Sequence, residues 1–165
     1  MDIEFIKPFL EGVVQVMKVQ FACAVKPLPP YPKQKAVSPA PIDIAAIIGV
    51  RGEKFNGSVA LGLPAGVFLK LMSNMLGENY SEITDEVEDG AGEMLNMIFG
   101  HAKIALNQKG HSLEKAIPTV VRGQNLSLKA LPSKNTLVLP FQTDFGTFFL
   151  EIGTDENNVP GESRS

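Results

Sequence analysis

The sequence predicts an α+β fold, a mostly antiparallel sheet with one long helix and shorter helices packed against it. Three observations carry this. The run from Asp85 to Lys109 repeats apolar residues at helical spacing over more turns than any other stretch. Four short apolar segments follow it: Ile117 to Arg122, Leu126 to Leu131, Thr136 to Phe141 and Thr147 to Ile152. Turn residues separate them at Gly123-Gln124-Asn125, Pro132-Ser133-Lys134-Asn135 and Asp144-Phe145-Gly146. Upstream, Ile42 to Val50 and Ser58 to Leu63 form another strand pair, so both halves of the chain feed the sheet.

Taken in order, residues 3–21 place Ile3, Phe5, Ile6, Phe9, Leu10, Val13, Val14, Met17 and Phe21 at helical recurrence, a core-facing helix. Pro8 is expected in its first turn or as the mark of a late start. Residues 26–41, KPLPPYPKQKAVSPAP, hold six prolines in sixteen positions. That density forbids a helix and favours extended backbone, as an edge strand or surface connector. The hairpin turn after Val50 falls at Arg51-Gly52-Glu53-Lys54 or Phe55-Asn56-Gly57. Pro64 then ends the second strand. Ala65 to Leu76 is an amphipathic helix with Val67, Phe68, Leu71, Met72 and Met75 inward, and Gly77 lies past its end. Residues 1–153 thus make one domain, and 154–165 a polar tail expected to lack fixed structure.

Bulk properties exclude several classes. A chain of 165 residues is long enough to bury a core without staples. A formal charge of −3 and pI near 5.4 argue against nucleic acid or an anionic membrane as the main partner. A single cysteine, Cys23, excludes an internal disulfide, fits a reducing compartment, and reads as buried packing within the apolar run Val19 to Val25. The acidic N-terminus carries no signal-peptide pattern, and no apolar run reaches the length of a membrane span, so the expected location is cytoplasmic. His101 and His111 are the only histidines, so no zinc site is expected; His101 lies beside the buried stripe of the long helix, and His111 reads as a solvated residue after its end. There is no phosphate-binding glycine loop and no nucleophile elbow, and Ser58 has no local base.

The long helix holds the one readable chemical pair. Val87, Ala91, Met94, Leu95, Ile98, Ala102 and Ala105 share a face, which is the expected buried stripe. Opposite them, Glu86, Asp89, Glu93, Asn96, Gly100, Lys103 and Asn107 form a second stripe, centred on Glu93 and Asn96. Thr84 is the expected N-cap, the first turns are acidic as the helix dipole favours, and Gly110 is the stop. Gly90, Gly92 and Gly100 each cost roughly 1 kcal/mol against Ala in a helix interior. Close approach of another backbone is the expected reason, most of all at Gly100.

The run Glu93-Met94-Leu95-Asn96-Met97-Ile98-Phe99-Gly100 resembles the E-x-x-N-x-x-x-G signature of the CheC/CheX/FliY chemotaxis phosphatases. Pro118-Thr119-Val120-Val121-Arg122-Gly123 is similar to the P-T-V-V-x-G strand of CheX-type members, and Phe55-Asn56-Gly57-Ser58 to an F-x-G-S turn of the family. The likeness spans roughly residues 2–152 in order and length. Two-site members carry a second E-x-x-N on an earlier helix; here Glu11 is followed three positions later by Val14, so one site per chain is expected.

The resemblance implies a phosphatase acting on the aspartyl phosphate of a CheY-type receiver domain, with Glu93 and Asn96 as the catalytic pair. It implies that the acid engages the receiver's lysine and the amide orients the attacking water. Gly100 would keep the helix surface low enough for contact, and Asp89 and Lys103 read as partner contacts or as charges that serve solubility alone. No cofactor of the chain's own is implied, Mg²⁺ being expected in the receiver, and a homodimer formed through the sheet is implied too. The chemistry suits the residue types: an acyl phosphate is already reactive, so positioning water in line is what remains, and an amide both donates to and accepts from water. The other class consistent with the sequence is a non-catalytic receiver-binding or flagellar-switch-like module. Arg122 either pairs within the sheet region or lines the docking face.

Overall fold

The computed structural model describes residues 2–33, 41–115, 117–126 and 135–155. In chain order the elements are α1 (Ile3–Gln20), β1 (Lys26–Pro27), β2 (Tyr31–Pro32), β3 (Ile44–Arg51) and β4 (Asn56–Leu63), then α2 (Ala65–Leu76) and α3 (Asp85–Gln108). The strands β5 (Glu114–Lys115), β6 (Thr119–Arg122), β7 (Thr136–Thr143) and β8 (Gly146–Thr154) complete them. All described strand pairs are antiparallel, in the order β1-β7-β8-β4-β3-β5, with β2 also on β7 and β6 also on β3. The α+β class follows from the apolar patterning, as expected.

Alternation along the strands sends Ile44, Ala46, Ile48, Val59, Leu61, Leu139, Phe141, Phe148, Leu150 and Ile152 to the face that the helices cover. There they meet Phe9, Val13 and Met17 of α1, Phe68 and Leu71 of α2, and Met94, Leu95, Ile98 and Phe99 of α3. Phe9, Phe21, Phe68, Phe99, Phe141 and Phe148 are all fully buried; truncating any one to Ala would cost about 3–5 kcal/mol. Residues of the opposite register, Ala45, Ala60, Val138 and Phe149, form a smaller cluster with Ile42.

The helix α1 begins at Ile3 because Asp2 caps it, its carboxylate accepting from the Glu4 amide at 3.0 Å. Pro8 therefore lies inside the helix, neither in its first turn nor at a late start. Pro8 is buried among core residues, and that packing offsets the single N–H it cannot donate. The proline-rich segment does supply edge strands: β1 and β2 both pair with β7. The β3–β4 hairpin keeps full register from Ile44↔Leu63 to Arg51↔Asn56. Its F-x-G-S motif has two structural duties. Phe55 stacks on Phe5 with ring centroids 4.6 Å apart, and Gly57 lies where a Cβ would collide with the Gly153 carbonyl of β8.

Several boundaries differ from expectation. Met75 of α2 is exposed rather than inward, Leu69 being buried instead, because α2 ends at the rim with Gly77 in the left-handed conformation at φ 71°. The last strand runs on through Thr154, past the expected domain end at 153, because the Thr154 amide bonds Asn135 O at 3.1 Å and the Asp155 amide bonds Asn56 O at 2.8 Å. The segment β5 was not expected. The expected strand Leu126 to Leu131 lies outside the described residues apart from Leu126, and residues 156–165 of the tail lie outside them entirely.

Candidate functional site

The helix α3 packs its expected stripe inward: Val87, Ala91, Met94, Leu95, Ile98 and Ala102 are buried, with Leu106 taking the place expected of Ala105. It runs antiparallel to α1. Lys109 near its end pairs with Glu4 at 3.3 Å, and midway a Cβ on Gly12 of α1 would sit 3.2 Å from the Ile98 carbonyl. The close backbone approach that the sequence assigned to the glycines of α3 therefore occurs at Gly12. Gly90 faces the Met72 side chain, whose Sδ and Cε would lie 2.5 Å from a Cβ, and Gly92 faces Val120 and Pro118 at 3.4 and 3.5 Å. Gly100, where close approach was expected most, would bring a Cβ within 4 Å of no other segment among the described residues and is exposed.

The second stripe remains on the surface. Glu86, Asp89, Glu93 and Gly100 are exposed, while Asn96 and Lys103 are half-buried. Glu93 and Asn96, one turn apart, share this face. The Asn96 Oδ1 is enclosed, and no donor among the described residues reaches it. Leaving a buried acceptor unpaired costs about 1–3 kcal/mol, so such an atom calls for a reason. Asn107, at the end of the stripe, has a structural duty instead: its Oδ1 accepts from the Leu113 amide at 2.6 Å and ties down the chain after α3. Gly110 follows at φ 87°, the left-handed stop that was expected.

The start of α3 is held from outside. Thr84 is the N-cap residue, and its carbonyl accepts from the Val87 and Glu88 amides, but its side chain makes no cap bond. Arg122 at the end of β6 reaches over instead. Its Nη1 donates to the Ile83 carbonyl at 2.8 Å, its Nη2 to Asp85 at 2.9 Å, and its Nε lies 3.3 Å from Glu88. The sequence left Arg122 open between sheet and docking face. The excess of acid in the first turn of α3 was the one signal available, and sequence alone assigns it to the helix dipole.

Other titratable groups settle into packing roles. Cys23 is buried, and burial, reinforced by the Asp144 charge, pushes its thiol up, so it stays protonated. His101 is exposed and lies over Gly12 of α1. His111 is half-buried, not solvated as expected, because its ring packs against Phe5 with centroids 5.3 Å apart. Burial, with Lys54 and Lys109 nearby, lowers the His111 pKa, and Asp2 opposes them. On the outer sheet face Glu151 pairs with Lys33 at 3.3 Å, and its burial raises the carboxyl pKa against the pull of that lysine. Among the described residues no group of three or more His, Cys, Asp or Glu is placed to hold a metal ion. Nor is any described helix long and apolar enough to cross a membrane.

Comparison with known proteins adds the family. The family model for the chemotaxis phosphatase CheX matches residues 44–142, more than half of the chain. The chain belongs to the CheX family. The CheY-P phosphatase CheX of Thermotoga maritima is 24% identical over 131 residues, which span 79% of this chain and 83% of that protein. The crystal structure of the chemotaxis protein CheX from Vibrio vulnificus is 32% identical, with a TM-score of 0.84 over 92% of this chain and 99% of that one. A CheX–CheY–BeF₃–Mg²⁺ complex from Borrelia burgdorferi shares the fold at a TM-score of 0.78 and 22% identity, over 94% of this chain and 100% of that one. In this CheX-family chain the matched span includes all of α3 and β6, the elements that carry Glu93, Asn96 and Arg122.

Proposed function

We propose that this chain hydrolyses the aspartyl phosphate of a CheY-type receiver domain, with Glu93 and Asn96 as the pair that acts. The observation that carries the site is the half-buried Asn96 amide, whose oxygen has no donor among the described residues, on the face that also presents Glu93. In this reading Asn96, half-buried on that face, uses its amide to hydrogen-bond the attacking water and aim it once the receiver docks. Attack of that water on phosphorus breaks the bond to the aspartyl oxygen, leaving a receiver carboxylate and inorganic phosphate. Glu93, exposed on the preceding turn, pairs with a cation of the receiver and docks the helix. Asp89 and Lys103 flank the pair as partner contacts, and Gly100 keeps the helix surface low one turn beyond Asn96.

Support for the reaction comes from the family, from the Thermotoga relative named as a CheY-P phosphatase, and from the Borrelia complex of CheX with CheY. In this reading the chain brings no cofactor of its own, and Mg²⁺ belongs to the receiver. A homodimer through the sheet and a cytoplasmic location belong to the same reading. The sheet offers β1 and β2 at one side and β5 and β6 at the other as outer strands for a second copy; light scattering of the purified chain tests it.

The decisive experiment follows the decay of a CheY-type receiver from the same cell, phosphorylated with acetyl phosphate, in Mg²⁺. The chain should accelerate decay, and Glu93→Ala and Asn96→Ala should each abolish the acceleration. Binding of the receiver without acceleration would assign the chain to a scaffold role instead.

A further inference from the structure

The proposed reaction depends on the direction in which α3 presents Glu93 and Asn96, and the structure contains a separate device that fixes this direction. The strand β6 is anchored to β3 in register from Ile44↔Arg122 to Ile47↔Thr119, and the Gly123 amide donates to the Asp43 carbonyl at 2.8 Å. From this fixed base β6 meets α3 at two heights. Arg122 holds Ile83, Asp85 and Glu88 around the helix start. Two turns along, Pro118 and Val120 lie against Gly92, the residue immediately before Glu93. The buried stripe packs α3 against α1 and β3, and β6 adds contact at two heights on the first half of the helix, with a rigid fork at its start, which narrows the roll that apolar packing alone allows.

Small rolls matter. A side-chain tip roughly 5–6 Å from a helix axis moves roughly 1 Å for a roll of about 10°. A misplacement of about 1 Å can cost on the order of 100-fold in rate. The ion pairs themselves add little to stability, because the Asp85 side chain is 90% exposed and those of Arg122 and Glu88 are 36% and 32% exposed. Their consequence is geometric. We propose that Arg122 is a positioning residue for α3, fixing the roll that aims Glu93 and Asn96, and that the planar guanidinium is required for it. Lysine brings one charge without the fork and cannot hold three acceptors in fixed directions.

This inference rests on the proposed phosphatase reading, and the test separates the two. Decay of the phosphorylated CheY-type receiver is measured at varied receiver concentration for wild type, Arg122→Met, Arg122→Lys, the Asp85→Ala/Glu88→Ala double variant, and Asn96→Ala, with thermal midpoints for each. Arg122→Met should lower kcat by about tenfold or more while KM stays within about twofold. The Asp85→Ala/Glu88→Ala variant, which keeps Arg122 but removes its two side-chain acceptors, should do the same even if Arg122→Met folds poorly. Combining the two should add little, and Arg122→Lys should restore little. Unchanged kcat in both Arg122→Met and the double variant, or a raised KM at full kcat, overturns the positioning role while leaving the phosphatase reading intact. A wild type without activity, or an Asn96→Ala variant with full activity, overturns the phosphatase reading and this inference with it.

Discussion

Gly100 offers a prediction in which stability and activity move in opposite directions. It lies inside α3, where glycine costs roughly 1 kcal/mol relative to alanine. A Cβ there meets nothing within 4 Å and would be exposed, so no clash offsets the gain. Gly100→Ala should therefore stabilise the fold by about 0.5–1 kcal/mol, which for a domain of this size raises the thermal midpoint by about 1–4 °C. The proposed docking face reverses the sign for function. A methyl group one turn beyond Asn96 holds a receiver surface away, and a stand-off of about 1 Å should slow phospho-receiver decay by tenfold or more. Gly100→Gln, which keeps helix propensity and adds bulk, should weaken it further, chiefly through KM. Calorimetry and the decay assay on the same preparations check both halves. Full activity in both variants would refute the docking role of Gly100, whatever happens to stability.

Three further outcomes are expected. Asp89→Asn removes an exposed charge that makes no ion pair among the described residues; KM should rise by an amount equivalent to about 0.2–1 kcal/mol, and the salt dependence of kcat/KM should flatten. Gly57→Ala places its Cβ against the Gly153 carbonyl at the end of the β4–β8 pairing, and denaturant titration should show a loss of about 1–3 kcal/mol. His111 has a folded-state pKa below its ordinary value. The unfolded chain therefore takes up the proton first, and its contribution to stability is present above about pH 6.5 and lost as pH falls below it. Urea midpoints at pH 7.5 and 5.5 should differ less for His111→Gln than for wild type.

What was legible in the sequence was local. Periodicity placed α1, α2 and α3 and named Val87, Ala91, Met94, Leu95, Ile98 and Ala102 as the buried stripe, because helical spacing and burial are set by the same 3.6-residue repeat. Turn residues placed the β3–β4 hairpin and the Gly146 turn. What was not legible depends on contacts between distant segments. Arg122 finds Ile83 across 39 positions and Asp85 across 37, and nothing in the local pattern around P-T-V-V-R-G names those partners. His111 follows a helix stop, where local reasoning expects solvent, yet Phe5 covers its ring. The pair Lys33–Glu151 joins the proline-rich segment to the last strand, and strand alternation alone gave no warning of a buried carboxylate there.

The glycines of α3 show how one sequence feature divides once the neighbours are known. All three weaken the helix by a similar amount, but two are accounted for within the chain: Gly90 leaves room for the Met72 side chain, and Gly92 receives Pro118 and Val120 of β6. The third, Gly100, has no neighbour to accommodate, and it lies on the face that carries Glu93 and the enclosed, unpaired Asn96 oxygen. Among the described residues Gly100 accommodates no neighbour and the Asn96 oxygen finds no donor, and the proposed receiver docking gives a reason for keeping a destabilising glycine there. Intramolecular packing explains the flank of α3 where β6 and Arg122 act, and the proposed docking accounts for the neighbouring flank that carries Glu93 and Gly100. That division is why substitutions at Arg122 and at Gly100 should differ in kind, the first altering kcat and the second altering approach of the receiver.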